Sequence, residues 1–151
     1  QQQYKYLEIE KMNHNRLIES VKHHEGYRVE PYKDTLGKWT VGYGHLIHDE
    51  YVRTFCNPDQ HEKWLDDDIA DAMRRAEDYA HNKWGGLTDA QREVLVEMAF
   101  QLGNRIFGFK NLRQGIEDDD PVRVVAEMRD SNWWKQTTNR VEDAIKKWGS
   151  E

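Results

Sequence analysis

Cysteine, proline and long apolar runs are all scarce in this chain of 151 residues, and it has no excess of positive charge. A single cysteine, Cys56, excludes an internal disulfide and suits synthesis in a reducing compartment, where its expected role is that of a small half-buried hydrophobe. No stretch approaches the roughly 18 apolar residues of a membrane span, and no basic start leads into an apolar run, so neither a membrane anchor nor a signal peptide is expected. Lys and Arg number 22 against 28 Asp and Glu, a formal charge of −6. That balance argues against binding nucleic acid, which needs cationic side chains to replace the counterions of the phosphates. Repeats and low-complexity tracts are also missing. Of only three prolines, two follow a capping residue, in Asn57-Pro58 and Asp120-Pro121, and so read as helix starts rather than breaks.

What is present suits one compact domain or two small lobes sharing a helix, because 37% hydrophobic content over this length can fill a core. Residues 1–13 read as an N-terminal extension or linker, and residues 14–151 as the domain. From about Asn13, Leu17, Ile18 and Val21 recur at helical spacing, and Gly26 supplies a stop that leaves Glu25 in the last turn. The segments Tyr27–Tyr32 and Lys38–Tyr43 are rich in aromatic and β-branched residues around a turn cluster of Asp34, Thr35 and Gly37, which predicts a hairpin with Asp34 at its tip. After Pro58, Leu65, Ile69, Ala72, Ala76 and Tyr79 form the stripe of a long amphipathic helix. The run Asp66-Asp67-Asp68 points in three directions on that helix, so a solvated face is expected and no metal is assigned. Thr88 and Gln91 form a capping box ahead of the most apolar helix, with Val94, Leu95, Met98, Ala99 and Leu102. Later helices carry Val122, Val125 and Met128, and then Val141, Ile145 and Trp148. The fold class is α+β, mainly helical, with a small antiparallel β-hairpin sheet.

The chemistry concentrates in one stretch. Glu25 ends a helix, Asp34 follows nine positions later on the hairpin, Thr40 six later still, and the turn Val41-Gly42-Tyr43-Gly44-His45 comes next. Two carboxyls and a hydroxyl can protonate a departing sugar oxygen, offset positive charge on the ring and guide an attacking water. In that division of labour Glu25, against the apolar hairpin, suits the protonated partner and Asp34, at an exposed turn, the ionised one. Gly42 and Gly44 suit close backbone approach or positive φ.

Residues Ile18 to Leu46 resemble the catalytic segment of the phage-type lysozymes, in which Glu is followed by eight residues, Asp or Cys, five residues and Thr. The blocks Met98-Ala99-Phe100-Gln101-Leu102-Gly103 and Trp133-Trp134-Lys135-Gln136-Thr137-Thr138-Asn139-Arg140 resemble the same family in the same order, so the likeness runs from about Asn15 to Trp148. The resemblance implies a two-lobed lysozyme-like fold, with a small lobe at about 26–57, a connecting helix at about 58–80 and a helical large lobe at about 81–149 plus the first helix. It implies hydrolysis of the β-1,4 bond between N-acetylmuramic acid and N-acetylglucosamine in bacterial peptidoglycan, with inversion and without a cofactor. Glu25, Asp34 and Thr40 fall on the family's catalytic positions. Arg140 matches the arginine beside the catalytic glutamate and His45 a position near the cleft, both as support of the active site. Phe100, Gln101, Trp133 and Gln136 match positions at or near the family's cleft and are expected to bind substrate, and Asn111 is expected to line the cleft with them. Trp39, Trp64, Trp84, Trp134 and Trp148 read as packing or interface residues.

The acidic balance departs from many lysozymes, which are basic, and weakens any electrostatic capture of an anionic wall. A monomer is expected, acting either in phage lysis, from the host cytoplasm to the wall, or as a module of a larger virion protein during wall penetration. Two rivals stand beside this reading. One is a catalytically idle wall-binding module, disfavoured because Glu25, Asp34 and Thr40 are all present. The other is a hydrolase of chitin or chitosan, which shares the acid chemistry without a muramic acid pocket.

Overall fold

A computed structural model describes residues 14–48 and 57–150. Cys56 and the extension at 1–13 lie outside the described residues. The chain divides into two compact units, with the division falling after Asp71 inside one helix.

The first unit opens with helix α1, His14–Glu25, which buries Leu17 and Val21 one turn apart. Gly26 ends it at φ +70, its amide donating to the Lys22 carbonyl at 3.0 Å, so Glu25 occupies the final turn as expected. Strands β1, Arg28–Lys33, and β2, Trp39–Gly42, pair antiparallel, and a short third strand, β3, His45–Leu46, extends the sheet beyond the expected hairpin in the order β1-β2-β3. Within β1, Arg28 faces Gly42 and Tyr32 faces Thr40, so four steps on one strand span two on the other. This bulge contains Pro31, a residue with no N–H to give to a ladder. Helix α2, Pro58–Ala80, starts where Asn57 Oδ1 accepts the Asp59 amide at 2.9 Å. Its expected stripe is buried throughout, from Leu65 and Ile69 in this unit to Ala72, Ala76 and Tyr79 in the next.

The second unit is helical. A 3-10 turn at His81–Gly86 leads to α3, Asp89–Leu102, whose capping box is complete: Thr88 Oγ1 accepts the Gln91 amide and Gln91 Oε1 accepts the Thr88 amide. Thr88→Ala is therefore expected to cost about 1 kcal/mol, read as a lower midpoint in urea with an unchanged slope. Helix α3 is buried nearly all round, carboxylates included: Glu93 is 0% and Glu97 8% exposed, and Lys147 reaches them at 3.4 and 3.3 Å. Charges this deep need a partner, and Lys147 supplies one from the last helix.

A 3-10 turn at Gly103–Gly108 precedes α4, Lys110–Glu117, and then come α5, Pro121–Arg129, α6, Asn132–Gln136, and α7, Thr138–Trp148. The expected apolar face of α5 needs correction. Val122 is 79% exposed, while Val124 and Met128 are buried. The reason is Gly115 on α4, where a side chain would stand 3.1 Å from Val124 Cγ2, so the two helices close upon Val124 and turn Val122 outward. Val141 and Trp148 line the buried face of α7 as expected.

Candidate active site

The first unit brings Glu25, Asp34, Thr40 and His45 into one small sheet and the helix end beside it. Asp34 sits at the hairpin turn and organises it: Oδ1 accepts the amides of Leu36 and Lys38, both at 2.9 Å, while the Asp34 amide donates to the Lys38 carbonyl. A carboxylate that fastens its own turn with one oxygen has its position set by the backbone, not by a free side chain. Thr40 is 3% exposed and donates from Oγ1 to the Lys38 carbonyl at 3.1 Å. Its hydroxyl hydrogen is thus committed to the hairpin, leaving the oxygen lone pairs as acceptors.

Glu25 is placed by a glycine. Gly44 has φ +75, and a side chain there would stand 2.8 Å from Glu25 Oε2 and 3.4 Å from its carboxyl carbon. The carboxyl therefore lies against bare backbone at the turn after β2. Gly42, at φ +65, plays the same part for His61, whose Cβ and Cγ would lie 3.0 Å from any added Cβ. His61 is only 1% exposed and cannot give way. Gly42→Ala should consequently lose about 2–4 kcal/mol of stability, from the left-handed backbone together with overpacking, as measured by thermal or denaturant unfolding.

His45 carries the arrangement onto α2. Its Nδ1 lies 2.7 Å from Asp68 Oδ2, and its ring stacks on Trp64 at 4.4 Å and 8°. Asp68 is therefore not part of a purely solvated face, as the run of three aspartates suggested; its side chain is 29% exposed and anchors His45. Trp64 also does more than pack. His61 extends the cluster, sharing a hydrogen bond of 2.8 Å with the Tyr27 hydroxyl, and Tyr27 lies 4.6 Å from Tyr43. A signal for these residues existed in the sequence. His61, Trp64 and Asp68 follow 3-4 spacing, which places them on one face of a helix, but no sequence rule said which loop would meet that face.

Tyr32 is a further residue that the motif did not single out. It is the cross-strand partner of Thr40, and the Arg28 guanidinium lies 4.3 Å over its ring. Burial, and then the charge of Glu25, push its phenol above the ordinary range; Arg28 pulls it down and Asp34 raises it further.

The remaining sequence-assigned residues lie in the second unit. Arg140 is half-buried in the first turn of α7 and Phe100 half-buried on α3. Trp133 is 4% exposed and donates from Nε1 to Gln101 Oε1 at 2.7 Å, while Gln101 Nε2 donates to Thr137 Oγ1 at 3.2 Å. Both ends of the Gln101 amide are thus engaged within the protein. Gln136 is exposed at the end of α6. Asn111 is exposed and lines an open cavity of about 310 Å³ with Phe109, Glu127 and Ser131.

Residues 22–147 match the model of the phage lysozyme family. The chain is 34% identical over 126 residues to the peptidoglycan hydrolase gp36 of Pseudomonas phage phiKMV, covering 82% of this chain but 14% of that protein. It is 26% identical over 149 residues to probable T4-type lysozyme 1 of Dictyostelium discoideum, of which it covers 88%. It is 27% identical over 150 residues to the pre-baseplate central spike protein Gp5 of Enterobacteria phage T4, of which it covers 26%. The chain belongs to the phage lysozyme family, whose members are lysozyme-type glycoside hydrolases.

Proposed function

We propose that this protein hydrolyses bacterial peptidoglycan as a muramidase, cleaving the β-1,4 bond between N-acetylmuramic acid and N-acetylglucosamine with inversion. The observation that carries the reading is the Glu25 carboxyl held against Gly44, beside a hairpin that bears Asp34 at its turn and Thr40 opposite Tyr32. Glu25 donates a proton to the departing oxygen. Asp34, with Oδ1 bound to its own turn, keeps Oδ2 for the attacking water and for charge on the ring. Thr40 Oγ1 accepts a hydrogen bond from that water, since its own hydrogen is given to the Lys38 carbonyl. His45 supports the sheet through Asp68 rather than carrying protons.

Phe100, Gln136 and Asn111 supply substrate contacts, while Trp133 and Gln101 hold the large unit in shape through their mutual hydrogen bond. Arg140 supports the site. The protein works without a cofactor, as a monomer. It serves either phage lysis or wall penetration, standing alone like the Dictyostelium lysozyme or as a module of a longer chain like the phiKMV and T4 proteins. No helix among the described residues is long and apolar enough to cross a membrane.

The test is digestion of purified Gram-negative peptidoglycan, followed by mass spectrometry of the fragments and NMR of the first anomer formed. Fragments ending in reducing muramic acid, released as the α anomer, are expected. Cleavage of soluble chitin oligomers but not of peptidoglycan would overturn the muramidase reading, and a first-formed β anomer would overturn inversion.

A further inference from the structure

Helix α4 presents a charged face to an open cavity of about 510 Å³ in the second unit. Lys110, Arg113, Gln114 and Glu117 recur at helical spacing, which puts them on one side of the helix, and all four line the cavity. The rest of the lining comes from Phe107 in the preceding 3-10 turn and from His81 and Asn82, just past the end of α2. His81 is held at φ +53, a left-handed backbone that a residue with a side chain adopts at a cost. Tyr79, fully buried on α2, ties these parts together. Its hydroxyl donates to the Phe109 carbonyl, its ring meets Phe107 edge-on at 6.2 Å, and the Arg113 guanidinium lies 6.0 Å from the ring centre.

The charges on this face are the ones that their neighbours leave unpaired. In the run Glu117-Asp118-Asp119-Asp120, Asp118 accepts from Gln114 at 2.9 Å and lies 3.6 Å from Arg123, Asp119 pairs with Lys83 at 3.0 Å, and Asp120 caps α5 through the Arg123 amide. Among the described residues the Glu117 carboxylate has no ion pair or hydrogen bond, and neither Lys110 nor Arg113 has a carboxylate partner. Lys110 and Glu117 are seven positions apart, about 10 Å along the axis at roughly 1.5 Å per residue. One end of the face therefore carries two cations and the other a carboxylate. A simple anion would be repelled by Glu117 and a simple cation by the basic pair, whereas a ligand with opposite charges about 10 Å apart satisfies both. An extended peptide covers that distance in about three residues. The Asn82 and Gln114 amides, the latter with Oε1 left to accept, suit its backbone, and the exposed Phe107 ring suits a methyl group.

We propose that this cavity binds a short peptide with carboxylates directed to Lys110 and Arg113 and a free amine directed to Glu117, the chemistry of the uncrosslinked peptide branches of peptidoglycan. None of the residues assigned above to hydrolysis or to glycan contact lines it. The dipolar preference follows from the lining alone, and the choice of wall peptide rests on the functional reading above. The site tethers to the wall a chain whose net charge of −6 gives it no general attraction to an anionic polymer.

The experiment titrates the whole isotope-labelled chain, followed by NMR, with three probes. They are N-acetyl-L-alanyl-γ-D-glutamyl-meso-diaminopimelyl-D-alanine, the same peptide acetylated on its diaminopimelate amine, and inorganic phosphate. Saturable shifts at His81, Asn82, Phe107 and the Lys110 to Glu117 face are expected with the first peptide. Lys110→Gln combined with Arg113→Gln should raise its Kd about tenfold, and Glu117→Gln about threefold, the usual scale for exposed ion pairs; for the acetylated peptide Glu117→Gln should change nothing. All three side chains are exposed, so the variants should unfold at the wild-type temperature. On a Glu25→Gln background, which spares the polymer, the basic double change should also lower co-sedimentation with intact peptidoglycan. Absence of saturable shifts, a Kd indifferent to these changes, or unaltered co-sedimentation would overturn the proposal. So would phosphate binding as tightly as the peptide with no effect of Glu117→Gln, since that describes a plain anion site. Wild type that binds the peptide but leaves peptidoglycan uncut would support the site and overturn the functional reading, whereas cleavage without peptide binding would overturn the site alone.

Discussion

Glu25→Gln is expected to lower the rate of glycan cleavage by about 10²–10⁴-fold, the usual contribution of a positioned proton donor, while the fold stays intact. The amide fills the space of the carboxyl against Gly44 and differs chiefly in having no acidic proton to transfer. Stability should change by less than about 1 kcal/mol. A negative charge at a helix C-terminus is mildly unfavourable, so its removal does not by itself destabilise α1. The measurement is turbidity clearing of peptidoglycan together with thermal unfolding of both proteins. Near-normal turnover in a folded Glu25→Gln protein would sink the assignment of Glu25 as the acid.

Gly44→Ala separates position from chemistry, because it leaves every acid and hydroxyl in place. The new methyl would stand 2.8 Å from Glu25 Oε2, the free end of a side chain, so the carboxyl yields and swings aside. Misplacing a reacting group by about 1 Å costs on the order of 10²-fold, and a fall in kcat of about 10- to 100-fold is expected. The stability cost should stay near 1–2 kcal/mol, the price of a left-handed backbone for alanine. Gly37→Ala is the matched control. Gly37 has φ +77 with nothing within 4 Å of an added Cβ, so it should lose similar stability, and any loss of activity there measures the strain of alanine in the turn that holds Asp34. Equal activity of the two variants would show that Gly44 does not place Glu25. Gly42→Ala completes the set from the other side, since its methyl meets the buried His61 ring and the cost should fall on stability.

The local elements were legible because each rests on short-range rules. Gly26 stops α1 just after Glu25, Asn57-Pro58 starts α2, and Thr88 with Gln91 starts α3, each through hydrogen bonds among residues within four positions of one another. The stripe on α2 was legible for the same reason, since 3.6 residues per turn aligns Leu65, Ile69, Ala72, Ala76 and Tyr79 whatever they meet. Where the partner decides, the pattern misled. Val122 fits a helical stripe as well as Val124 does, yet Gly115 on a different helix selects Val124. Nothing local marks Glu93 and Glu97 as interior; Lys147, some fifty residues on, partners them there. Asp68 read as one of three solvated acids, and only the third strand, by bringing His45 to α2, distinguishes it.

By itself the sequence determined most of the elements, the membership of the phage lysozyme family and the candidates proposed as acid, second carboxylate and hydroxyl, because caps, turns and periodicity act over a few residues and the motif lies within sixteen consecutive positions. Tertiary structure alone decided what touches those groups. Gly44 beneath Glu25, and Asp68 and Trp64 holding His45, are contacts between segments that no local rule relates. Packing selects such contacts by shape and charge together, and those two properties meet only when the chain has closed on itself.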